Sequence, residues 1–522
     1  MYDIVFRNAR VFDGTGAPWF VADVAVKNGI VVKVGVALGD ATEVVSADGR
    51  CISPGFIDAH SHSDEALISN PSADSKVMQG VTLEVIGQCG DSATPRKPGS
   101  GQDDGQAAED AGRSDRADWT DLLSYAQILE INGVSVNVAP LVGHGTVRRY
   151  VMGEDRRSPT RDELSFMERL VEEAMEQGSF GLSTGLIYVP GTYSNTQEIL
   201  ALNRVVSRHG GIYFTHLRNE GSRLLEALDE AIRIGTEAGT PVQICHFKII
   251  GKANWGRIDE AIDKVEMARR NGLDITADQY PYIASSTGLS TSVPSEFWAG
   301  GREEAFRRFR DPRERRQLLK ILSEKDDWGN LVIASLSHPD QRQFIGKNLL
   351  QIGTELGLSP GEACLDLLLK NSASVQIVNF GMSEDDVQTV MSLPWVMPGS
   401  DASGLDAEKA EGQPHPRAYG TFVRILGKYV REMGHLRLEE AIRKMTSLPA
   451  MRLGLQDRGI LREGMKADLV LFDANTVIDN ATYVAPHQYP SGVDYVVVNG
   501  EVVVRNGKHT GKRPGAVLRR TR

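Results

Sequence analysis

Eight short apolar runs, separated by stretches of helical periodicity, dominate the middle of this 522-residue chain. They fall at residues 55–62, 81–87, 134–141, 180–185, 211–216, 241–246, 274–280 and 395–401. A short run that is apolar throughout, rather than alternately polar, suits a strand covered on both faces. The intervening helices are plainly signalled. TRDELSFMERLVEEAMEQG opens with a capping box, Thr160 and Glu163, and stops at Gly178. SRLLEALDEAIRIGTEAG and IDEAIDKVEMARRNG also end at glycines. Eight strand-like runs with helices between most of them predict an α/β fold built as a (β/α)8 TIM-type barrel, with a doubly wound sheet as the alternative.

The two ends read differently. VADVAVKNGIVVKVG alternates around Asn28-Gly29, and VDYVVVNGEVVVRNGKH does so around Asn499-Gly500. An Asn-Gly pair between alternating runs is the strongest short-range hairpin signal. Residues 1–52 and 451–522 are therefore expected to build one small β domain beside a barrel spanning 53–450. Two segments break the barrel rhythm. Residues 90–118, rich in Gly, Ser, Asp and Gln, predict a mobile loop and candidate lid. Residues 285–393 are too long for one crossover and predict an insertion over the barrel mouth, with a strongly charged helix at 302–320.

Composition narrows the function class. A net charge of −11 argues against nucleic acid or an anionic membrane as partner. No apolar run approaches the ~20 residues of a membrane span. The start, MYDIVFRNARVFDG, reads as strand and turn rather than leader. The four cysteines lack C-x-x-C spacing, so a disulfide framework is not expected. The expectation is a soluble, cytoplasmic enzyme acting on a small molecule, its assembly into a homo-oligomer left open.

Barrel chemistry sits at the C-terminal strand ends. Five of the eight runs end there in metal-capable or acid–base residues: His60 with His62, Cys89, His216, His246 and Asp401. His60 and His62, two apart on a strand, would share a face. Thiolate with imidazole favours Zn²⁺ over Mg²⁺ or Ca²⁺. Asp401 follows a Pro-Gly-Ser turn that would let its carboxylate approach the ion and carry a proton. Cys245 neighbours His246, must face the other way, and reads as a buried small side chain. Lys248 shares parity with His246 and is a candidate grip for a substrate carboxylate, or else a solvated surface lysine. Tyr280 and Ser286 follow the seventh run and could bond the same anion. Tyr188 is a candidate donor to an oxyanion. His144 lines the pocket or plays a structural part. Arg417 contacts an anion or caps a helix.

PGFIDAHSHSD resembles the first metal motif of the amidohydrolase superfamily. IGQCG, GLSTGLIYVPG, YFTHLRNEG, QICHFK, DQYPYIASSTG, GSD and HPRAYGTF resemble the N-acyl-D-amino-acid deacylase (D-aminoacylase) family, in order along nearly the whole chain. The resemblance implies a metal-bearing (β/α)8 barrel beside a small β-sandwich. It implies that Cys89, His216 and His246 hold a tight Zn²⁺, with His60 and His62 available to a weaker second ion. Asp401 would be the general acid/base, and Lys248, Tyr280 and Ser286 the substrate-carboxylate contacts. Hydantoinases and dihydroorotases use a carboxylated lysine on strand four; FGLSTGL has none. The implied reaction is hydrolysis of N-acyl-D-amino acids to a carboxylate and a free D-amino acid. Alternatives are a dipeptidase for peptides with a C-terminal D-residue, a cyclic-amide hydrolase, and an inactive scaffold of the same fold.

Overall fold

The computed structural model of the chain describes residues 1–99 and 119–520. The eight apolar runs form strands, each somewhat shorter than its run: Phe56–Asp58, Val81–Ile86, Asn137–Pro140 (continued by Val142–Gly143), Gly181–Gly185, Ile212–His216, Val242–Ile244, Ile275–Gln279 and Val396–Pro398. Each is parallel to the next. A parallel bridge between Ser61 and Ala402, and the Ala59 amide 3.4 Å from the Pro398 carbonyl, tie the last strand to the first. Every residue in these strands is buried, which is why their sequences run apolar without alternation.

Helix Arg161–Glu176 begins at Thr160 with both capping-box bonds, and Leu224–Ala238 ends at Gly239 in the left-handed conformation. Their apolar faces pack on the outside of the strands, where Met167 and Val171 of the first and Leu228 and Ile234 of the second are fully buried. Each such side chain contributes about 1.5–3 kcal/mol relative to exposure. Ile57, Leu83, Val85, Phe180, Ile212 and Phe214 fill the space enclosed by the strands.

Strands from both ends of the chain share one nine-stranded sheet. Cys51–Pro54 pairs with Tyr2–Val11 on one side and Leu469–Phe472 on the other. Both Asn-Gly pairs turn hairpins with positive φ at Asn28, Gly29, Asn499 and Gly500, as their turn type requires. Beyond the last hairpin the chain leaves this sheet, and Pro514, Gly515 and Val517 bridge to Val134 and Val138.

Residues 285–393 carry a three-stranded antiparallel sheet that sequence reading did not foresee, Ser285–Gly288, Leu331–Leu336 and Val375–Asn379, with a core of their own. The charged stretch expected as one helix is two, Arg302–Arg310 and Pro312–Leu322. Pro312 has no amide to continue the first helix, and Asp311 instead caps the second. Of the loop expected at 90–118, residues 100–118 lie outside the described residues. Among the described residues no helix is long and apolar enough to cross a membrane.

Lys444, on helix Leu438–Met445, is only 2% exposed, and its Nζ donates to the Leu393 carbonyl. Burial pushes its pKa down from 10.5 to about 7. The unfolded chain therefore binds the extra proton throughout that interval, so stability falls as pH drops from 10.5 towards 7. Lys444→Met should remove this dependence and raise the melting temperature at neutral pH, as thermal denaturation across that pH range would show.

Candidate metal centre and active site

The strand ends deliver their side chains to one place. Cys89 Sγ lies 3.4 Å from His60 Nε2, 3.5 Å from His216 Nδ1 and 3.6 Å from His246 Nε2. An ion with metal–sulfur and metal–nitrogen bonds of about 2.3 and 2.0–2.1 Å sets tetrahedral S and N ligands about 3.5 Å apart. The donor set therefore fits a zinc-like ion. His60, Cys89, His246 and Asp401 each place one ligand atom within 4.8 Å of the others, and so do His216, Glu220 and His246. His62 joins through Asp401, whose Oδ1 is 3.0 Å from His62 Nε2 and 3.5 Å from His60 Nε2. Burial alone would raise the Cys89 thiol, but the facing His60, His216 and His246 hold it well below the ordinary thiol value.

Three of these residues hold a backbone that side-chain-bearing residues rarely adopt: φ is 53° at Cys89, 38° at His246 and 51° at Asp401. Such strain persists only where the surroundings over-determine it. Around Cys89 they do. A Cβ on Gly185 would sit 2.0 Å from the Cys89 carbonyl oxygen, so only glycine lets the fourth strand pack against this turn.

Neighbouring carboxylates orient the imidazoles. Asp278 Oδ1 lies 3.1 Å from His60 Nδ1 and accepts the His246 amide at 2.8 Å. Glu220 Oε1 lies 2.9 Å from His246 Nδ1 and 2.6 Å from Lys248 Nζ. A carboxylate on the far ring nitrogen fixes tautomer and orientation in metal-ligating histidines. Asp401 stays ionised: burial disfavours its charge, yet Arg417, His60 and His62 hold its carboxyl well below the usual range.

Two cavities of about 690 and 250 Å³ meet at this cluster, both lined by Tyr188, Ser286, Thr287 and Asp401. Lys248 faces the smaller one, its ammonium engaged with Glu220 and 2.7 Å from His246 Nδ1. The strand ends at Ile244, so loop geometry rather than strand parity brings Lys248 there. Arg417 faces the larger cavity at 4% exposure. Its Nη1 lies 2.7 Å from Asp401 Oδ2, an ion pair by distance, although neither Nε nor Nη1 has a well-directed hydrogen-bond partner. Tyr188 keeps its hydroxyl 3.1 Å from Thr287 Oγ1 and its ring edge-on to His216.

Two expected pocket residues sit further back. Tyr280 lies with its ring under the Arg417 guanidinium, 4.6 Å away, while its hydroxyl donates to Met382 Sδ at 3.8 Å. Neither cavity counts it among its lining residues. His144 is fully buried behind the wall, 2.8 Å from Glu198, which also clamps Arg148. His60 and His62 lie beyond the end of the first strand, so the bridge at Ser61 preserves the alternation expected of the strand itself.

Sequence reading passed over Glu220, Asp278 and His415. Glu220 stands four residues after a strand-end histidine, and Asp278 is an acid inside a wholly buried strand. Both signals were visible, but a lone acid does not name its partner. His415 lines the larger cavity and accepts the Arg417 amide at 3.0 Å. Cys89→Ala should abolish stoichiometric zinc in purified protein. With cobalt as probe, the thiolate charge-transfer band of the wild type should vanish in this variant; its persistence would exclude Cys89 as a ligand.

The chain matches the amidohydrolase family over residues 43–294 and 332–504. It is 36% identical to a D-aminoacylase of Alcaligenes xylosoxydans xylosoxydans over 100% of this chain and 98% of that protein. With an N-acyl-D-glutamate deacylase of the same organism it shares 35% identity over 99% and 96%. A D-aminoacylase crystal structure, described as defining a novel subset of amidohydrolases, superposes with a TM-score of 0.84 at 34% identity over the whole of both chains. The N-acyl-D-glutamate deacylase of Bordetella bronchiseptica, solved with zinc and a phosphonate mimic of the tetrahedral intermediate, gives 0.83 at 32% identity over 99% of each chain. With its full length matched and its strand-end residues gathered at one centre, this chain belongs to the amidohydrolase family and, within it, to the N-acyl-D-amino-acid deacylases.

Proposed function

We propose that the protein hydrolyses the amide bond of N-acyl-D-amino acids, releasing a carboxylate and a free D-amino acid. The observation that carries this reading is a Cys–His donor cluster with an ionised Asp401 where two cavities meet, Arg417 lining the larger and Lys248 the smaller. The D configuration rests on the named activities of the relatives. In this reading residues 53–450 are a (β/α)8 barrel with 285–393 inserted, and 1–52 with 451–522 form a small β-sandwich.

Cys89, His216 and His246 would hold the tighter zinc, and His60, His62 and Asp401 a weaker second one. Zinc bound there supplies Lewis acidity and water activation. Asp401 accepts the proton of the attacking water through the oxygen facing His60 and His62, while Arg417 keeps the carboxylate charged until then. The same carboxyl then delivers the proton to the departing amine. Tyr188, oriented by Thr287, donates to the developing oxyanion. Lys248, Ser286 and Arg417 hold the substrate carboxylate, Tyr280 backing the guanidinium. A cavity of about 690 Å³ far exceeds an acetyl group, which favours a second reading on the same machinery: peptides with a C-terminal D-residue.

Amine release from matched N-acetyl-D- and N-acetyl-L-amino acids, with dipeptides alongside, tests the reading. Turnover of the D series alone is expected, and equal turnover of the L series would overturn it. Asp401→Asn should lower kcat by about 10²–10⁴-fold with tight zinc retained. Lys248→Ala should raise KM about 10- to 100-fold, the worth of one charge-assisted hydrogen bond.

A further inference from the structure

Beneath the metal cluster lies a second charged group that the reaction does not use. Lys76, on the short helix Asp74–Val77, is fully buried. Its ammonium donates to Ser400 Oγ at 2.7 Å, the Ala402 carbonyl at 2.7 Å, Asp58 Oδ2 at 2.8 Å and Ser61 Oγ at 3.2 Å. Glu84 lies 3.3 Å away, and it accepts from the hydroxyls of Ser61 and Ser63. Asp58 in turn accepts the Ser400 hydroxyl at 2.6 Å, the Ser400 amide at 2.8 Å and the His60 amide at 3.2 Å.

These partners interleave with the site. Ser400 and Ala402 flank Asp401; Ser61 lies between His60 and His62; Ser63 follows. In an extended chain alternate residues face opposite sides. The functional side chains face the cavity while their neighbours face Lys76. The contact is also where the last strand meets the first: the Asp401 amide donates to the His60 carbonyl at 2.8 Å, and a Cβ on Gly399 would lie 2.6 Å from His60 Cβ.

Stability alone is a poor reason for this arrangement. Dehydrating an ammonium and two carboxylates costs several kcal/mol per ion, and apolar packing of the same volume often stabilises as well or better. What an apolar side chain does not supply is a set of directed bonds to both segments at once. We infer that Lys76 is a positioning residue, holding the turn that carries Asp401 in register with the segment that carries His60 and His62. The inference rests on the proton-carrying role proposed for Asp401.

The test compares Lys76→Met and the milder Ser400→Ala with Arg458→Met, which breaks a buried 2.6 Å pair with Asp468 outside the site. Melting temperature, zinc content, kcat and KM are measured on each purified protein, using the best N-acyl-D-amino acid of the wild type. Arg458→Met should lower the melting temperature and leave kcat per folded molecule unchanged. Lys76→Met should lower kcat about 10- to 100-fold, as removal of a partner of a site residue does. Its KM and tight zinc should stay close to wild type. Ser400→Ala should shift kcat in the same direction by less, and it carries the test if Lys76→Met fails to fold. Wild-type kcat in the folded, zinc-loaded variants, or a loss fully restored by added zinc, would overturn the inference. An inactive wild type would sink the deacylase reading itself, whereas an active wild type with unaffected variants sinks the inference alone.

Discussion

The site depends on one buried negative charge facing three imidazoles. A thiolate at Cys89 would be untenable in an apolar interior, where burial raises a thiol's pKa. Cys51, Cys245 and Cys364 show that ordinary outcome, with pKa values raised by burial. At Cys89 the neighbouring His60, His216 and His246 reverse the sign. Each imidazole comes from a different strand end, so the charge balance exists only when the strands are in register. Asp278 and Glu220 extend the balance outward, each turning an imidazole by its far nitrogen.

Bringing these groups together demands backbone geometry that local preference resists. Cys89, His246 and Asp401 all have positive φ, a state costing of order 1–3 kcal/mol for a residue with a side chain. The parallel strands and the close glycine contact at Gly185 hold those turns in place. Charge, strain and strand register are thus three aspects of one arrangement. Residues 285–393 add cavity walls, through Ser286, Thr287, Ala334 and Gln376, and contribute none of the Cys–His donor cluster.

The grouping of donor residues was legible because parallel strands deliver the side chains at their C-terminal ends to one side of the fold. Once the eight runs were aligned, His60, His62, Cys89, His216, His246 and Asp401 occupied equivalent ends. The capping box at Thr160 and the Asn-Gly hairpins were readable because each encodes its own local geometry. Lys248 faces the smaller cavity, but not by strand parity, since its strand stops before it. Tyr280 is expected in the pocket from its place after the seventh run and from the family resemblance, and His144 either in the pocket or in a structural part. Packing sets Tyr280 under Arg417 and gives His144 the structural part, against Glu198. Lys76, Asp58 and Glu84 were not legible as a group. A charge inside or beside an apolar run does not name its partner, even when that partner is Asp58, only 18 residues away, and the same ammonium also reaches the Ala402 carbonyl, 326 residues on.

By itself the sequence determined the periodicities, and with them the strands, helices, turns and the order in which metal-capable residues reach the strand ends. These follow from short-range physics: side-chain alternation, caps, and the φ preferences of Asn and Gly. Tertiary structure decided which end residues come within ligand distance of one another, which carboxylate steers which imidazole, and where Arg417 lies against Asp401. Those choices depend on distances between segments far apart in the chain, and only closure of the strands on one another sets such distances.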